Sequence, residues 1–155
     1  VESNITMASL EYMTKFGFLD SSKEADIAER QIKALAVKTP TAATKVVSLS
    51  GGNQQKCIVG RWLERNPKIL ILDEPTRGID VGAKYEIYRL IHQMADQGKA
   101  VILVSSELPE LLGMSDRIYT ICEGSITGEI SSKEANQEKL MRLMTTTSEA
   151  SDVRS

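Results

Sequence analysis

The first 65 residues carry apolar positions at helical spacing, broken by short polar turns. Ser21 and Glu24 have the spacing of a capping box, in which two side chains satisfy free amides at a helix start. Asn66-Pro67 would end the last helix of this region, because proline disfavours helical backbone in the residue before it. Three segments are predicted: a helix and a turn over 1–20, a helix over 21–37 and a helix over 53–65.

Two uninterrupted apolar runs, residues 69–72 and 100–104, predict strands of a parallel sheet that is buried on both faces. Between them a helix is predicted over residues 80–97, with Gly98 as its stop. A strand, a helix of this length and a second strand form one right-handed βαβ unit. The apolar face of this helix consists of Ile87, Leu90, Ile91 and Met94. The pattern therefore indicates the α/β fold class.

The last third of the chain predicts smaller elements. Residues 118–122 and 126–130 flank a short turn and are typical of a β-hairpin. A final helix is predicted over residues 131–144, where Ser131 and Glu134 repeat the capping-box spacing. The other elements predicted here are a short helix over residues 107–112 and a polar tail over residues 145–155.

Composition narrows the classes of function. The net charge of −2 provides no strong positive potential to attract the phosphate backbone of a nucleic acid, so we expect no nucleic-acid partner. No apolar run approaches the roughly 18 residues that span a bilayer. Cys57 and Cys122 form neither a disulfide framework nor a zinc site, and His92 has no partner at metal-ligand spacing. A globular domain from a reducing compartment is expected.

Two adjacent acids, Asp73 and Glu74, follow the first predicted strand. The carboxyl edge of a parallel sheet is where ligands bind in open α/β folds. There the first acid would hold Mg²⁺ on a nucleotide, and the second would orient or deprotonate the attacking water. The alternative is a strand that ends in an ordinary polar turn, for which Asp-Glu-Pro is equally suitable. Taken alone, the segment does not decide between the two.

A second segment, Ser50-Gly51-Gly52, comes directly before a predicted helix. The two glycines let backbone N–H groups approach an anion, and the positive end of the helix dipole points to the same place. This arrangement suits a terminal phosphate. The alternative is an N-cap serine with a flexible turn, and taken alone the segment favours that alternative.

The two segments together, in this order and spacing, resemble the ATP-binding-cassette (ABC) ATPases. Residues 49–53 match the signature loop of the family, Asp73 its Walker-B aspartate, Glu74 its catalytic glutamate and residues 78–80 its D-loop. The resemblance covers roughly residues 1–130. The strings at residues 50–56, 76–84 and 104–110 look like the second ATPase half of bacterial monosaccharide importers of the ribose and galactose type.

The chain departs from the family pattern at three points. No G-x-x-x-x-G-K-[ST] phosphate loop occurs in the 155 residues, so the chain looks like the C-terminal part of a cassette, a partial P-loop NTPase domain. The switch histidine of the family would fall at position 106, where Ser106 stands. A serine hydroxyl is a poor proton carrier at neutral pH, which weakens the expectation of hydrolysis at this site. Asn53 occupies the position of the usual glutamine.

The resemblance implies a role for each matching residue, toward ATP and Mg²⁺ as cofactors. Asp73 would bind the metal, while Glu74 and the degenerate switch residue Ser106 would be catalytic. The residues implied in nucleotide binding are Ser50, Gly51, Gly52, Asn53, Gln54 and Asp80.

The resemblance also implies partners and a location. A second cassette would share its ATP with the signature loop of this chain, and membrane permease subunits would be moved by closure. A periplasmic sugar-binding protein would be an indirect partner. The location implied is peripheral, on the cytoplasmic face of the bacterial inner membrane, where the chain would power monosaccharide import.

Two other functions stay open at this point. The chain by itself could be a non-catalytic interaction module that only completes the site of a partner, or it could belong to an ABC-type ATPase of a non-sugar system. The lack of coiled-coil heptads and the near-neutral charge argue against an ABC ATPase of DNA maintenance. The domains expected are a helical signature subdomain (1–65), a partial nucleotide-binding core (66–130) and a C-terminal helix with its tail (131–155).

Overall fold

The computed structural model describes residues 1–15 and 17–145, and the predicted polar tail lies almost wholly outside them. The chain divides into two compact units, the first comprising Val1–Ile102 and the second beginning at Leu103. Seven helices are described: α1 (Glu2–Thr6), α2 (Leu10–Met13), α3 (Ser21–Ala34), α4 (Gly51–Leu63), α5 (Val81–Asp96), α6 (Leu108–Met114) and α7 (Gln137–Thr145). Six strands are described: β1 (Thr14–Lys15), β2 (Phe18–Leu19), β3 (Ile69–Asp73), β4 (Ala100–Val104), β5 (Arg117–Cys122) and β6 (Ser125–Ser131).

The helices of the first unit pack around a small aliphatic core. Helices α1 and α4 and the end of α3 supply its buried members, and Leu49, just before α4, packs against it. The buried members are Val1, Ile5, Leu35, Val37 and Cys57. Burial also raises the pKa of the Cys57 thiol, which keeps it protonated at neutral pH.

The start of α3 differs from the prediction by one residue. The N-cap is Asp20, whose carboxylate accepts a hydrogen bond from the Lys23 amide at 3.1 Å. The predicted capping box at Ser21 and Glu24 is therefore wrong. Glu24 is buried instead and accepts a 2.8 Å hydrogen bond from the Thr6 hydroxyl, which ties α3 to α1. The capping-box spacing fitted both residues, but Glu24 has a tertiary partner.

Strands β3 and β4 pair in a two-stranded sheet with α5 between them in sequence. Both strands begin side by side, since the Ala100 amide donates to the Lys68 carbonyl at 2.9 Å, so the sheet is parallel, as predicted. Burial on both faces is wrong for the described residues. In β3 Leu70 and Leu72 are buried, whereas Ile69 and Ile71 are 61% and 66% exposed. Alternate residues of a strand point to opposite faces, so only one face of β3 is covered.

The second unit contains the predicted hairpin. Strands β5 and β6 pair antiparallel around the two-residue turn Glu123-Gly124. Both turn residues have positive φ, 49° and 78°, as a type I′ turn requires. Helix α7 packs on this hairpin with Leu140 fully buried.

Helix α7 begins later than predicted. It starts at Gln137, and the Asn136 side chain accepts from the Lys139 amide at 2.8 Å. The second predicted capping box is wrong because Ser131 ends β6, and its carbonyl accepts the amide of Glu134 in a turn. Within the described part of the chain, no helix has the length and apolar character needed to cross a membrane.

Candidate functional site

The loop before α4 is anchored on the core at Leu49 and exposed to solvent at Ser50. Leu49 packs on the core, and its carbonyl accepts a 2.9 Å hydrogen bond from the Gln54 side chain. Ser50 is exposed at the N-cap position, but its hydroxyl makes no capping bond. Instead it accepts from the Asn53 side-chain amide at 2.8 Å, and the Asn53 oxygen accepts from the Lys38 backbone amide at 2.7 Å.

This hydrogen-bond pattern leaves the first turn of α4 free to bind an anion. The backbone amides at the start of a helix need acceptors from outside the helix, and here no side chain of the described residues caps them. The Ser50 hydroxyl accepts one bond and keeps its own hydrogen for donation. Ser50 is the N-cap residue of α4, as the alternative favoured by the sequence has it, but its side chain does not make the capping bond. Amides, hydroxyl and helix dipole together suit a phosphate.

The two glycines of the loop allow close contact with the start of α5. A Cβ added at Gly52 would lie 2.4 Å from the Cβ of Ala83, closer than real Cβ atoms come. A Cβ at Gly51 would lie 3.1 Å from a methyl of Ile79. The Asp80 carboxylate caps α5 by accepting from the Ala83 amide at 2.9 Å. The structure thus brings the predicted residues 50–52 and 78–80 together through backbone packing.

The two predicted acids lie at the carboxyl end of β3. Asp73 is the last residue of the strand and is exposed. Glu74 has φ of +47°, a left-handed conformation that is rare for a non-glycine residue and is further disfavoured before a proline. Pro75 and Thr76, which follow, are fully buried and fix the chain beyond it. Such strain is concentrated at functional sites in proteins and marks Glu74 as a candidate.

The residues at the end of β3 fit a magnesium ion that is shared with a nucleotide. No group of three His, Cys, Asp or Glu side chains within residues 1–15 and 17–145 could hold a metal by itself. Mg²⁺ does not need such a cage, because it takes one or two carboxylates and completes its shell with phosphate oxygens and water. Exposed Asp73 supplies one such carboxylate.

Ser106 lies in the second unit, where it is exposed between β4 and α6. The neighbouring Ser105 hydroxyl accepts from the Glu107 amide at 3.0 Å and so shapes the entry to α6. Ser106 remains the predicted switch position.

Sequence reasoning missed Lys56. Its side chain is only 4% exposed although it belongs to a charged residue. The sequence held a signal, because Gly52, Lys56 and Val59 recur at helical spacing on the face of α4 that is buried. A lysine on such a face needs partners, and Lys56 has two: the Ala36 carbonyl at 3.0 Å and the Glu86 carboxylate at 2.7 Å.

The chain is similar in sequence to known transport proteins. The sequence profile of the ABC transporter family matches residues 1–77. The chain is 55% identical over 147 residues to the L-arabinose transport ATP-binding protein AraG of Geobacillus stearothermophilus, covering 95% of the chain and 29% of the relative. It is 56% identical over 142 residues to the xylose import ATP-binding protein XylG of Moorella thermoacetica, with 92% and 28% covered.

The chain belongs to the ABC transporter family. Its fold agrees, since an inward-facing metal-chelate type ABC transporter superimposes with a TM-score of 0.79 at 17% identity, covering 92% of this cassette segment and 56% of that chain. The dimeric structure of a bacterial ABC transporter cassette superimposes with a TM-score of 0.70 at 24% identity, covering 84% and 56%. This cassette segment spans less than a third of the length of the curated relatives it matches.

Proposed function

We propose that this cassette segment belongs to an ATP-hydrolysing subunit that powers monosaccharide import. The observation that carries the proposal is the uncapped start of α4, where the exposed Ser50 hydroxyl stands beside amides that no side chain caps. Relatives named as arabinose and xylose transport ATP-binding proteins support a sugar as the transported substrate.

In this proposal the chain serves two different ATP molecules. Ser50, Gly51 and Gly52, positioned by Asn53 and Gln54, donate hydrogen bonds to the terminal phosphate of the ATP held by a second cassette. Asp80 caps α5 and so fixes the neighbouring loop that faces the partner. Each ATP supplies the phosphoryl group whose transfer to water releases the energy for transport.

The second ATP is the chain's own. Asp73 holds its Mg²⁺, and Glu74 orients the attacking water and accepts its proton. Ser106 stands in the sequence where the family has its switch histidine, and a serine cannot carry a proton as histidine does, so we expect slower hydrolysis than in a protein with histidine there. This difference also favours a second candidate function, in which the segment completes the site of its partner without hydrolysing ATP itself.

The partners follow from this arrangement. They are a second cassette, permease subunits that cross the membrane and, through the permease, a periplasmic sugar-binding protein. The chain would work at the cytoplasmic face of the inner membrane as a peripheral subunit.

The test is ATP-dependent uptake of labelled pentoses and hexoses by the full-length protein assembled with its permease in liposomes. We expect uptake of at least one sugar that requires Mg-ATP and is lost in Ser50→Arg. Ser48→Arg is the matched control, since Ser48 is exposed two residues earlier and its hydroxyl donates to the nearby Lys45 carbonyl. No ATP-dependent sugar uptake, or full activity of Ser50→Arg, would refute the proposal.

A further inference from the structure

Lys56 links α4 to α5 and to the segment that follows α3. It lies on α4, one turn beyond Gly52, and its ammonium group donates to the Ala36 carbonyl just after α3. The same group forms an ion pair with Glu86 on α5 at 2.7 Å. The side chain of Glu86 is 42% exposed, whereas that of Lys56 is almost fully buried. The pKa of Glu86 is lowered by this hydrogen bond from Lys56, so the Glu86 carboxylate is charged at neutral pH.

Helix α5, which carries Glu86, begins directly after residues 78–80. Glu86 lies in the second turn of α5, whose first turn carries Ala83 against Gly52. Helices α4 and α5 are therefore joined twice on the same side, by the glycine contact at their starts and by the Lys56–Glu86 pair one turn further on. Neither loop can shift relative to the other without breaking one of these contacts.

We propose that Lys56 and Glu86 are positioning residues that fix the signature loop, residues 49–53, relative to the D-loop, residues 78–80. The inference rests on the proposed function, because it assigns the two residues to the same ATP site. A buried ammonium group must keep its acceptors, so Lys56 sets the rotation of α4 about its axis. That rotation decides where the Ser50 hydroxyl and the first-turn amides point.

The first test measures hydrogen–deuterium exchange in the nucleotide-free, full-length transporter. Lys56→Met should accelerate exchange about tenfold in the peptides that cover residues 49–56 and 78–86. Lys56→Arg keeps a charged donor and should restore the parent rates. Arg30→Met removes the ion pair between the exposed Arg30 on α3 and Glu64 at the end of α4 and should leave both peptides unchanged. Parent-like exchange in Lys56→Met overturns the proposal.

The second test separates positioning from a merely structural role. In Lys56→Met the ATP concentration for half-maximal ATPase activity should rise about tenfold while the maximal rate stays within about twofold, because the chemistry groups at β3 are untouched. Glu86→Gln leaves the buried lysine in place and should raise the same concentration about threefold. A fall in maximal rate with an unchanged ATP requirement in both variants contradicts the proposal.

A charge swap sharpens the result. Exchanging the two residues, Lys56→Glu with Glu86→Lys, keeps the ion pair but places a carboxylate against the Ala36 carbonyl. We expect no rescue, because two acceptors cannot bond to each other, and full rescue would refute the role of the bond from Lys56 to the Ala36 carbonyl. If the parent transporter shows no ATP-dependent uptake, the proposed function fails, whereas the nucleotide-free exchange still decides whether Lys56 positions the two loops.

Discussion

The signature loop and the end of β3 carry different parts of the proposed chemistry and are held in different ways. The loop is fixed by three sets of contacts: Leu49 packs on the core, Gly52 lies against α5, and the Asn53 side chain bonds to Ser50 and to the Lys38 backbone amide. At the end of β3 the position of Glu74 is set by backbone conformation and by the buried residues that follow it. Glu74 stands in a left-handed conformation between a strand and the buried Pro75.

This difference predicts which property, ligand binding or stability, a substitution in each region should change. A contact network positions a loop before its ligand arrives, so that little ordering remains to be done on binding. A strained backbone stores energy, about 1–2 kcal/mol for a left-handed non-glycine residue, that the surrounding structure must offset. Substitutions in the loop should therefore weaken ATP binding and closure, whereas substitutions at Glu74 should separate stability from chemistry.

The largest expected effect comes from blocking the loop. In the assembled transporter Ser50→Arg should lower transport and ATPase rate by about 100-fold or more, because a bulky side chain would occupy the phosphate position. Glu74→Gln should lower them less than the ~10²-fold expected for removing a working general base, since the proposal expects slow hydrolysis where serine replaces the switch histidine. Transport and ATP hydrolysis are measured side by side. Loss of turnover in Glu74→Gln with a tolerated Ser50→Arg would reverse the comparison and make Ser106 an adequate switch.

The next effect concerns packing. Gly52→Ala should destabilise the protein by about 1–3 kcal/mol, because its Cβ would meet Ala83 at 2.4 Å and neither helix can yield freely. Urea unfolding of the variant and of the double variant with Ala83→Gly measures the effect, and the double variant should regain part of the loss.

Gly113→Ala is the matched control for this packing effect. Gly113 also lies in a helix, and a Cβ there meets nothing within 4 Å. Its replacement should be neutral or should stabilise by up to about 1 kcal/mol. Equal destabilisation by the two alanine substitutions would mean that the close contact between Gly52 and Ala83 does not cause the loss of stability.

The strain at Glu74 predicts a difference between two variants that both remove its side chain. Glu74→Gly should be more stable than Glu74→Ala by about 1 kcal/mol, because glycine adopts positive φ without the Cβ penalty. Thermal unfolding of the two variants under identical conditions gives the difference directly. If the two midpoints coincide, the left-handed backbone at this position is not a source of strain.

The smallest effect is expected for Asn53. Asn53→Ala removes its bonds to Ser50 and Lys38 and should raise the ATP concentration for half-maximal activity about fivefold. Gln55→Ala, on the same turn of α4, serves as the control and should leave this concentration unchanged. Parent-like behaviour of Asn53→Ala would show that Ser50 is positioned by the backbone alone.

Sequence patterns predicted the helices and strands of this fold better than the burial and the tertiary contacts of their residues. Uninterrupted apolar runs located β3 and β4, and Asp80 was a correct N-cap for α5. The same runs predicted two buried faces, yet Ile71 is exposed, because which face is covered depends on what packs there and not on the strand's own residues. Glu24 fitted a capping box and instead bonds to Thr6, a partner 18 positions away that spacing does not reveal.

The candidate site was predictable in its residue types and less so in its geometry. Ser50 and Gly52 were found by their spacing, but the sequence favoured an N-cap for Ser50 and flexibility for Gly52. Ser50 is the N-cap residue, but its hydroxyl makes no capping bond, and Gly52 lies in close contact with α5. Lys56 was missed because local patterns treat a lysine as solvated, and only the fold places the Ala36 carbonyl and Glu86 beside it.

The central claim, that the Ser50 hydroxyl faces the terminal phosphate of an ATP held by a second cassette, is tested most directly by labelling. Ser50→Cys and Ser48→Cys would be compared in the assembled transporter with Cys122 and any accessible cysteine outside these 155 residues replaced by alanine, using an ATP analogue with a thiol-reactive group on its γ-phosphate. Cys57 can remain, because it is fully buried and its raised pKa suppresses the reactive thiolate. We predict Mg²⁺-dependent labelling of Ser50→Cys that excess ATP prevents, and none of Ser48→Cys. Equal labelling of both positions, or none at position 50, would contradict the account.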